Sequence, residues 1–288
     1  MLISQNCSDV LKPNIEIKQF PDGESYVRIL SNYSNENTVM HRLYPNQSKS
    51  IFELLQIIDT LGEYQKEIVL IIPYMAYARQ ERRVIDGEAI SARALIRALA
   101  SFNVKKIITF DCHFMKESKS ETLYGVELIN IHLSQALIQH AKEKLHSITS
   151  KNEKIIVIAP DKGASYMNVD TYFLKERGEY VKTNNDKTYR VIKKLDYSLV
   201  EEKIKSEKIS NAILIDDIIA SGTTIIEAAK LCKELGIKNL AVCCTHGQFL
   251  NNADNKILEY AKFIVTSNTI LNPYSEVNFI DYLPKNKI

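Results

Sequence analysis

The chain of 288 residues has only nine glycines, and their spacing lacks the common nucleotide-binding signatures. No two glycines stand two residues apart, so the sequence has no GxGxxG motif. None stands five residues before a Gly-Lys-Ser/Thr run, so the sequence has no P-loop. The HExxH motif is absent as well. The sequence therefore gives no motif for a dinucleotide-binding Rossmann domain, a P-loop nucleotidase or a zinc protease of that type.

Cysteines are few and membrane-type segments are missing. The five cysteines include no CxxC pair, and two of them are adjacent, Cys243 and Cys244. This pattern predicts reduced thiols in a cytoplasmic protein. No apolar run approaches the roughly 20 residues that a membrane span needs, and the start of the chain lacks the features of a signal peptide.

An excess of charge of either sign is also missing. The chain has 37 basic and 35 acidic residues, a formal net charge of +2. We therefore predict no nucleic-acid and no membrane partner, and any anion binding must be local. A hydrophobic fraction of 45% with so low a net charge also excludes disorder as the main state.

Short apolar runs rich in β-branched residues alternate with helical patterns along the chain. Because the runs are apolar nearly throughout, they predict parallel strands covered on both faces, and hence an α/β fold. The helical patterns include Ser50 and Thr224 as starts of capping-box motifs, with Gly62 and Gly236 as the matching stops. Ser91 is predicted to cap a third helix that runs to about Phe102. The predicted strands are Glu67–Ile72, Lys106–Phe110, Lys154–Ala159, Asn211–Ile215, Leu240–Cys244 and Phe263–Thr266.

The polar stretch Lys142–Lys154 is the best candidate for a domain boundary. It lies near the middle of the chain, and each half then holds several βα units. We predict two α/β lobes of similar size, over residues 1–145 and 146–270, followed by a C-terminal arm over residues 271–288.

Polar clusters directly follow the predicted strands. Open α/β sheets bind ligands beyond the carboxyl ends of their strands, so these clusters predict a binding site at that edge. The clusters are Pro73–Arg83, Asp111–His113, Pro160–Gly163, Asp216–Thr224 and Thr245–Gly247.

The cluster Asp216–Thr224 is the most informative. Asp216 and Asp217 close a buried strand, and the turn Ser221–Thr224 opens a helix. Gly222 lets the backbone approach an anion, and the N–H groups at the start of the helix point toward it. The carboxylates suit ribose hydroxyls or a bound Mg²⁺, so the cluster indicates a site for a sugar phosphate. The alternative is that Asp217 and the hydroxyl residues only cap the helix.

This cluster resembles the phosphoribosyl-phosphate loop of the type I phosphoribosyltransferase superfamily, and further motifs narrow the resemblance. Taken in order, they are similar to those of the ribose-phosphate pyrophosphokinases, with the shorter, archaeal-type members closest. The resemblance covers about residues 15 to 270. The further motifs are Phe20-Pro-Asp22-Gly23-Glu24, Pro73-Tyr-x-x-Tyr-Ala-Arg79-Gln80-Glu81-Arg82-Arg83, Gly87-Glu88-Ala-Ile-Ser91-Ala, Asp111-x-His113, Pro160-Asp161-x-Gly163 and Cys244-Thr245-His246-Gly247.

The resemblance implies a fold, a reaction and a set of site residues. The fold is two phosphoribosyltransferase-like lobes, each a mainly parallel sheet flanked by helices, with ATP on the N-terminal side and ribose 5-phosphate on the C-terminal side. The reaction transfers the diphosphate of ATP to the anomeric hydroxyl of ribose 5-phosphate, with Mg²⁺ as cofactor, and releases AMP. The family segment at Phe20 sits against a neighbouring subunit, so the resemblance implies a homo-oligomer, a dimer or a multiple of dimers.

Each implied role falls on matching positions of this chain. The ribose 5-phosphate site would be formed by Asp216, Asp217, Ala220, Ser221, Gly222, Thr223 and Thr224. The ATP site would be formed by Phe20, Asp22, Glu24, Arg79 and Gln80. Mg²⁺ would be associated with His113 and Asp161, and the catalytic cations would be Lys187 and Arg190.

The chain departs from the family pattern at two places, and the first of them keeps an alternative open. The family has Lys-x-Arg where this chain has Lys187-x-x-Arg190, which is one residue longer, and Lys187 is the better candidate. Ala220-Ser221 stands where many bacterial members have Asp-Thr, which removes one carboxylate near the ribose. Archaeal-type members also lack this carboxylate, so the departure does not count against activity. The altered Lys–Arg spacing motivates the alternative of a non-catalytic regulatory homologue. A phosphoribosyltransferase that consumes phosphoribosyl diphosphate is the other alternative, favoured only by the cluster Asp216–Thr224.

Overall fold

A computed structural model describes residues 1–64, 67–150, 153–182 and 188–284. Within these ranges the chain forms strands, α-helices and a few single turns of 3₁₀-helix. The α-helices are α1 (Gln47–Gly62), α2 (Ser91–Ser101), α3 (Ser134–Ile148), α4 (Ser198–Glu207), α5 (Thr223–Glu234) and α6 (Ala253–Leu258). The strands are β1 (Leu2–Ile3), β2 (Ile15–Gln19), β3 (Ser25–Ile29), β4 (Thr38–Met40), β5 (Ile68–Ile71), β6 (Val104–Phe110), β7 (Ser120–Leu123), β8 (Val126–Ile131), β9 (Ile155–Ala159), β10 (Thr171–Tyr172), β11 (Leu174–Lys182), β12 (Thr188–Asp196), β13 (Asn211–Ile219), β14 (Asn239–Gly247), β15 (Phe263–Ser267) and β16 (Ser275–Val277).

The chain divides into two compact units. The first comprises Met1–Leu133, Asn268–Leu271 and Asn278–Ile288, and the second comprises Ser134–Ser267 and Asn272–Val277. Helix α3 lies in the second unit because it packs on β13, β14 and β15. The predicted boundary between residues 145 and 146 instead places most of α3 in the first lobe, and the bounds of independently folding domains stay a prediction.

The first unit is built on a six-stranded sheet in the order β1-β4-β5-β6-β8-β7. All neighbours are parallel except the edge strand β7, which runs antiparallel to β8. The central register places Val39 opposite Leu70 and Leu70 opposite Ile107. These side chains are fully buried, as the nearly continuous apolar runs predict for strands of a parallel sheet.

The second unit is built on an all-parallel sheet in the order β10-β9-β13-β14-β15-β16. Its core is a cluster of buried aliphatic side chains from the sheet and from α4, α5 and α6, and Phe173 is its largest member. The α/β fold class with parallel sheets flanked by helices is thereby confirmed. In the described part of the chain, no helix is long and apolar enough to cross a membrane.

Two antiparallel hairpins stand apart from these sheets, β2–β3 in the first unit and β11–β12 in the second. The first hairpin is tied to α1, because Ser25 Oγ donates to Glu53 Oε1 at 3.0 Å and Gln56 Nε2 donates to the Ser25 carbonyl at 3.2 Å. In the second hairpin Arg190 lies on β12 opposite Tyr180. Lys187 lies outside the described residues.

The structure corrects three predicted helix starts and two strand ends, and one of these ends is that of β14, which stops at Gly247 rather than at Cys244. Helix α1 begins after Asn46, whose side chain accepts from Lys49 N at 3.2 Å, rather than at Ser50. Ser91 is the first residue of α2 and not its cap, and α5 begins after Gly222. Strand β13 continues beyond the predicted end to Ile219, because parallel pairing with β14 extends through both aspartates.

Candidate active site

The turn from β13 to α5 places the predicted sugar-phosphate residues at one end of the second sheet. Asp216 lies opposite Cys244 on β14, and its Oδ1 accepts from Asp217 N at 3.0 Å. Asp217 is only 3% exposed, whereas Ser221 and Thr223 are exposed and their hydroxyl oxygens lie 3.2 Å apart. Two carboxylates and a hydroxyl-rich turn therefore stand at the carboxyl end of β13.

Gly222 sets the shape of this turn. Its φ of +73° and ψ of −1° lie in the left-handed region, which favours glycine. A Cβ atom here would stand 2.9 Å from Ala253 Cβ and 3.3 Å from Ile226 Cδ1, so the position also has no room for a side chain. Gly222 at the N-cap has no side chain that could accept from the N–H groups of the first turn of α5, and such N–H groups are donors for an anion.

The segment from Gly247 to Ala253 contacts this turn, and the sequence analysis did not predict that contact. Gln248 N and Phe249 N both donate to the Ile219 carbonyl, at 2.9 and 3.2 Å, and Leu250 N donates to the Ala220 carbonyl at 2.9 Å. The backbone of Phe249 is left-handed with φ of 48°. No local signal in the sequence predicts this conformation for a phenylalanine, because it depends on the pairing with the turn.

Asp161 lies at the end of β9, the strand next to β13. Its Oδ1 accepts from Gly163 N at 2.6 Å and caps a short 3₁₀ turn, Lys162–Ala164. A Cβ on Gly163 would stand 2.7 Å from Asp161 Oδ1, so the cap requires glycine there. The structure brings Asp161 to the same sheet edge as Asp216 and Asp217, because β9 and β13 are parallel neighbours.

In the first unit, the predicted adenine-binding residues form the tip of the β2–β3 hairpin. Asp22 Oδ1 accepts from Glu24 N at 3.1 Å, and Phe20 N donates to the Glu24 carbonyl at 2.8 Å. Gly23 turns the chain with φ of +97°. The Phe20 ring is 50% exposed and meets Tyr26 edge-on at 5.9 Å between ring centroids. The tip therefore presents an accessible aromatic face beside two carboxylates.

The loop after β5 carries Arg79 and Gln80, whose side chains are both exposed. Gln80 N donates to the Tyr77 carbonyl at 2.9 Å, and Tyr77 has a left-handed φ of 63°. The Gln80 side-chain oxygen accepts from Ser91 Oγ. The sequence motif gave no role to Ser91 beyond a helix cap.

His113 follows β6 and is half-buried. The neighbouring Asp111 has a structural part: its Oδ2 accepts from Leu133 N at 3.0 Å, and its Oδ1 lies 3.8 Å from His132 Nδ1. His113 belongs to the first unit and Asp161 to the second. The two residues predicted to be associated with Mg²⁺ therefore lie in different units, and each is described within its own unit.

Carboxylate oxygens are the donors present for a hard divalent cation in the second unit. Among the described residues, no group of three or more His, Cys, Asp or Glu side chains converges on a common point. Mg²⁺ does not need one, since it keeps several waters and is held by one or two carboxylates together with substrate phosphates. One or two of the carboxylates at this sheet edge, from Asp161 and Asp216, would suffice for such a cation.

The two parallel-sheet units, with a carboxylate pair running into a glycine-hydroxyl turn, define a phosphoribosyltransferase-type protein. Residues 127–279 match the model of the phosphoribosyl transferase domain, and residues 4–102 match the N-terminal domain of ribose phosphate pyrophosphokinase. A crystal structure of phosphoribosylpyrophosphate synthetase from Mycobacterium smegmatis shares the fold, with a TM-score of 0.70 and 20% identity over 98% of this chain and 95% of that one.

Curated relatives narrow the assignment. The chain is 33% identical to ribose-phosphate pyrophosphokinase of Pyrococcus abyssi, over 94% of this chain and 90% of the relative. It is also 33% identical to the Sulfurisphaera tokodaii protein of the same name, over 98% of this chain and 94% of the relative. The chain belongs to the ribose-phosphate pyrophosphokinase family, as the sequence motifs predict. Membership implies a metal-dependent, kinase-like reaction.

Proposed function

We propose that this protein transfers the diphosphate of ATP to the anomeric hydroxyl of ribose 5-phosphate and releases AMP. The observation that carries the proposal is the match of residues 4–102 to the N-terminal domain of this family, together with relatives that align over nearly the whole chain. A phosphoribosyltransferase that only consumes phosphoribosyl diphosphate has no use for such a domain.

The ribose 5-phosphate site is assigned to the β13–α5 turn. The 5-phosphate binds the N–H groups of the turn and of the first residues of α5, with donors from Ser221, Thr223 and Thr224. Asp216 and Asp217 accept hydrogen bonds from the ribose hydroxyls. Ala220 contributes its backbone. Support comes from the left-handed Gly222 at the N-cap of α5 and from the exposed hydroxyl residues Ser221 and Thr223 beside it.

ATP is assigned to the first unit. The exposed Phe20 ring stacks on the adenine, and Asp22 and Glu24 accept from its amino group. Arg79 and Gln80 donate to the triphosphate, the arginine through its planar fork. The hairpin is supported by its hydrogen bonds to α1, which keep the aromatic tip in a defined position.

Transfer of the diphosphate depends on neutralising its negative charge more than on covalent catalysis by the protein. Mg²⁺ supplies part of this neutralisation when bound, by sharing the charge that develops on the phosphate oxygens. His113 and Asp161 each match a position that the family associates with Mg²⁺, and we propose that role for each of them. Lys187 and Arg190 are proposed to contribute the protein's own cations, with Lys187 the stronger candidate. We also propose a cytoplasmic homo-oligomer, a dimer or a multiple of dimers.

The test is a nucleotide product assay with purified protein, ATP, ribose 5-phosphate and Mg²⁺. The proposal expects AMP that forms only when ribose 5-phosphate is present, matched one to one by phosphoribosyl diphosphate. ADP as the product would show γ-phosphoryl transfer and refute the proposed mechanism. The spacing of Lys187 and Arg190 favours a second candidate, a regulatory homologue, which predicts ATP binding with no nucleotide product.

A further inference from the structure

Gln80 is held at the start of α2 by both its backbone and its side chain. Its carbonyl oxygen accepts from Ala92 N at 3.3 Å, and its side-chain Oε1 accepts from Ser91 Oγ. The two bonds reach across the loop of residues 81–90. Gln80 therefore lies in a fixed relation to α2, although its side chain is exposed.

The hydrogen bond from Ser91 is made to the oxygen end of the Gln80 amide. A glutamine amide has one acceptor oxygen and one donor nitrogen, and rotation by half a turn exchanges them. With Oε1 engaged by the Ser91 hydroxyl, Nε2 is the end that is left for a ligand. Within the described residues, Nε2 has no hydrogen-bond partner in the protein. An amide held in this way presents two N–H donors.

The loop between Gln80 and Ser91 is organised so that the two residues meet. The Glu88 carboxylate accepts from Val84 N at 2.9 Å and from Ile85 N at 3.0 Å, and Arg83 Nε donates to the Glu88 carbonyl at 3.0 Å. The two backbone hydrogen bonds lower the pKa of Glu88, so its carboxylate stays charged in the folded protein. These hydrogen bonds join residues of the loop to one another on the way back to α2.

We propose that Ser91 is a positioning residue for ATP, which holds the Gln80 side chain in place so that its N–H groups can donate to the triphosphate. The proposal rests on the proposed function, in which Gln80 binds ATP. Phosphate oxygens at neutral pH are acceptors, so the reverse orientation of the amide would place an oxygen against them and repel the ligand. Because a serine hydroxyl can donate or accept, the phosphate oxygens select the orientation with the N–H groups outward, and Ser91 holds the amide where it can meet them.

The experiment compares Ser91→Ala with Ser91→Thr, which keeps the hydroxyl. A hydrogen bond contributes roughly 0.5–1.5 kcal/mol, which converts to about a two- to twelvefold change in affinity. We expect Ser91→Ala to weaken ATP binding by about three- to tenfold in calorimetry and to raise KM for ATP equally, with KM for ribose 5-phosphate unchanged. Ser91→Thr should bind ATP within about twofold of the original protein. Thermal unfolding reports whether each variant folds.

A double-mutant cycle with Gln80→Ala separates positioning from a merely structural role. If Ser91 acts through Gln80, Ser91→Ala costs nothing further in ATP affinity once Gln80 is alanine. Equal ATP affinity of the original protein and Ser91→Ala overturns the proposal, and so does an undiminished effect in the Gln80→Ala background. A lowered unfolding temperature with unchanged ATP affinity shows a structural role only and also overturns it.

A second variant keeps the test decisive if Ser91→Ala does not fold. Gln80→Glu retains an acceptor for Ser91 but offers no donor to phosphate, so we expect it to bind ATP more weakly than Gln80→Ala. Binding equal to or tighter than that of Gln80→Ala refutes the donor role. Calorimetry with ATP alone reads these outcomes without turnover. ATP binding without AMP formation in the original protein would therefore refute diphosphate transfer and leave the role of Ser91 testable.

Discussion

Replacing Gly222 by alanine tests whether the β13–α5 turn is the ribose 5-phosphate site. Two costs are expected. A non-glycine residue in the left-handed region costs about 1–2 kcal/mol. The new Cβ would also stand 2.9 Å from Ala253 Cβ, and forcing an extra methyl group into such a site costs about 1–3 kcal/mol. The free energy of unfolding should therefore fall by about 2–5 kcal/mol, the sum of these two costs.

Gly236→Ala is the matched control. Gly236 follows the other end of α5 with φ of +94°, but no atom lies within 4 Å of an added Cβ. This variant carries the backbone cost without the contact. The difference between the two variants in urea unfolding should be about 1–3 kcal/mol, which isolates the contact with Ala253.

The kinetic part of the test uses KM for each substrate. The contact pushes the turn away from α6 and displaces the N–H groups that face the phosphate. Small displacements in a binding site have large effects, so KM for ribose 5-phosphate should rise about tenfold or more in Gly222→Ala, with KM for ATP nearly unchanged. Gly236→Ala should leave both KM values unchanged. Equal losses of stability in the two variants would refute the steric argument, and an unchanged KM for ribose 5-phosphate in Gly222→Ala would refute the assignment of the site.

Three further outcomes are expected. Asp161→Asn keeps the acceptor for Gly163 N and loses the charge. The free energy of unfolding should therefore be unchanged, while the Mg²⁺ concentration that gives half-maximal activity should rise. An unchanged Mg²⁺ dependence would contradict a metal role. Lys187→Ala should lower kcat by about 10³-fold or more with ATP affinity in calorimetry nearly intact, because the cation acts in the transition state; parallel losses would refute this. Burial raises the pKa of Glu276, but hydrogen bonds from Lys144 and a histidine outweigh it and lower the pKa below the ordinary 4.5. At pH 7, Glu276→Gln should therefore have a lower free energy of unfolding in urea than the original protein, and this difference should shrink as the pH falls below 4.5. A difference that does not depend on pH would refute the charge-based account.

The sheets were predictable from the sequence because their strands are apolar on both faces. Runs such as β5 and β15 stand within a residue of their predicted bounds. The end of β13 was not predictable, since pairing of Ile218 with His246 and Ile219 with Gly247 extends the strand through two charged residues. Such pairing joins segments distant in sequence, and local propensity does not report it.

The start of α1 also depends on a tertiary contact that the local sequence does not report. Ser50 and Glu53 have capping-box spacing, yet Asn46 provides the cap. Glu53 is engaged elsewhere, since its carboxylate accepts from Ser25 in the hairpin and lies 3.9 Å from Lys49 Nζ. A tertiary contact therefore takes the carboxylate that the local motif would use, and the helix extends one turn further.

In the candidate site, too, some residues could be predicted from the sequence and others could not. The type and spacing of Asp216, Asp217 and Gly222 are enough by themselves to indicate a sugar-phosphate turn. Nothing in the sequence links that turn to Phe249 or Ala253, because the connection is made by backbone hydrogen bonds and by one close packing contact. Motif reasoning therefore finds residues that touch a ligand more readily than residues that hold them in place.

This distinction bears on the departure at Ala220. The structure uses the carbonyl of Ala220, which accepts from Leu250 N at 2.9 Å, and not its side chain, to hold the turn. Because a backbone contact does not depend on the residue type, the turn keeps its shape without the aspartate found in many bacterial members. If the turn is the proposed ribose 5-phosphate site, the missing carboxylate removes a contact to the ribose while the backbone of the turn stays available to the phosphate. On the same proposal, the Lys187–Arg190 spacing concerns the chemical step.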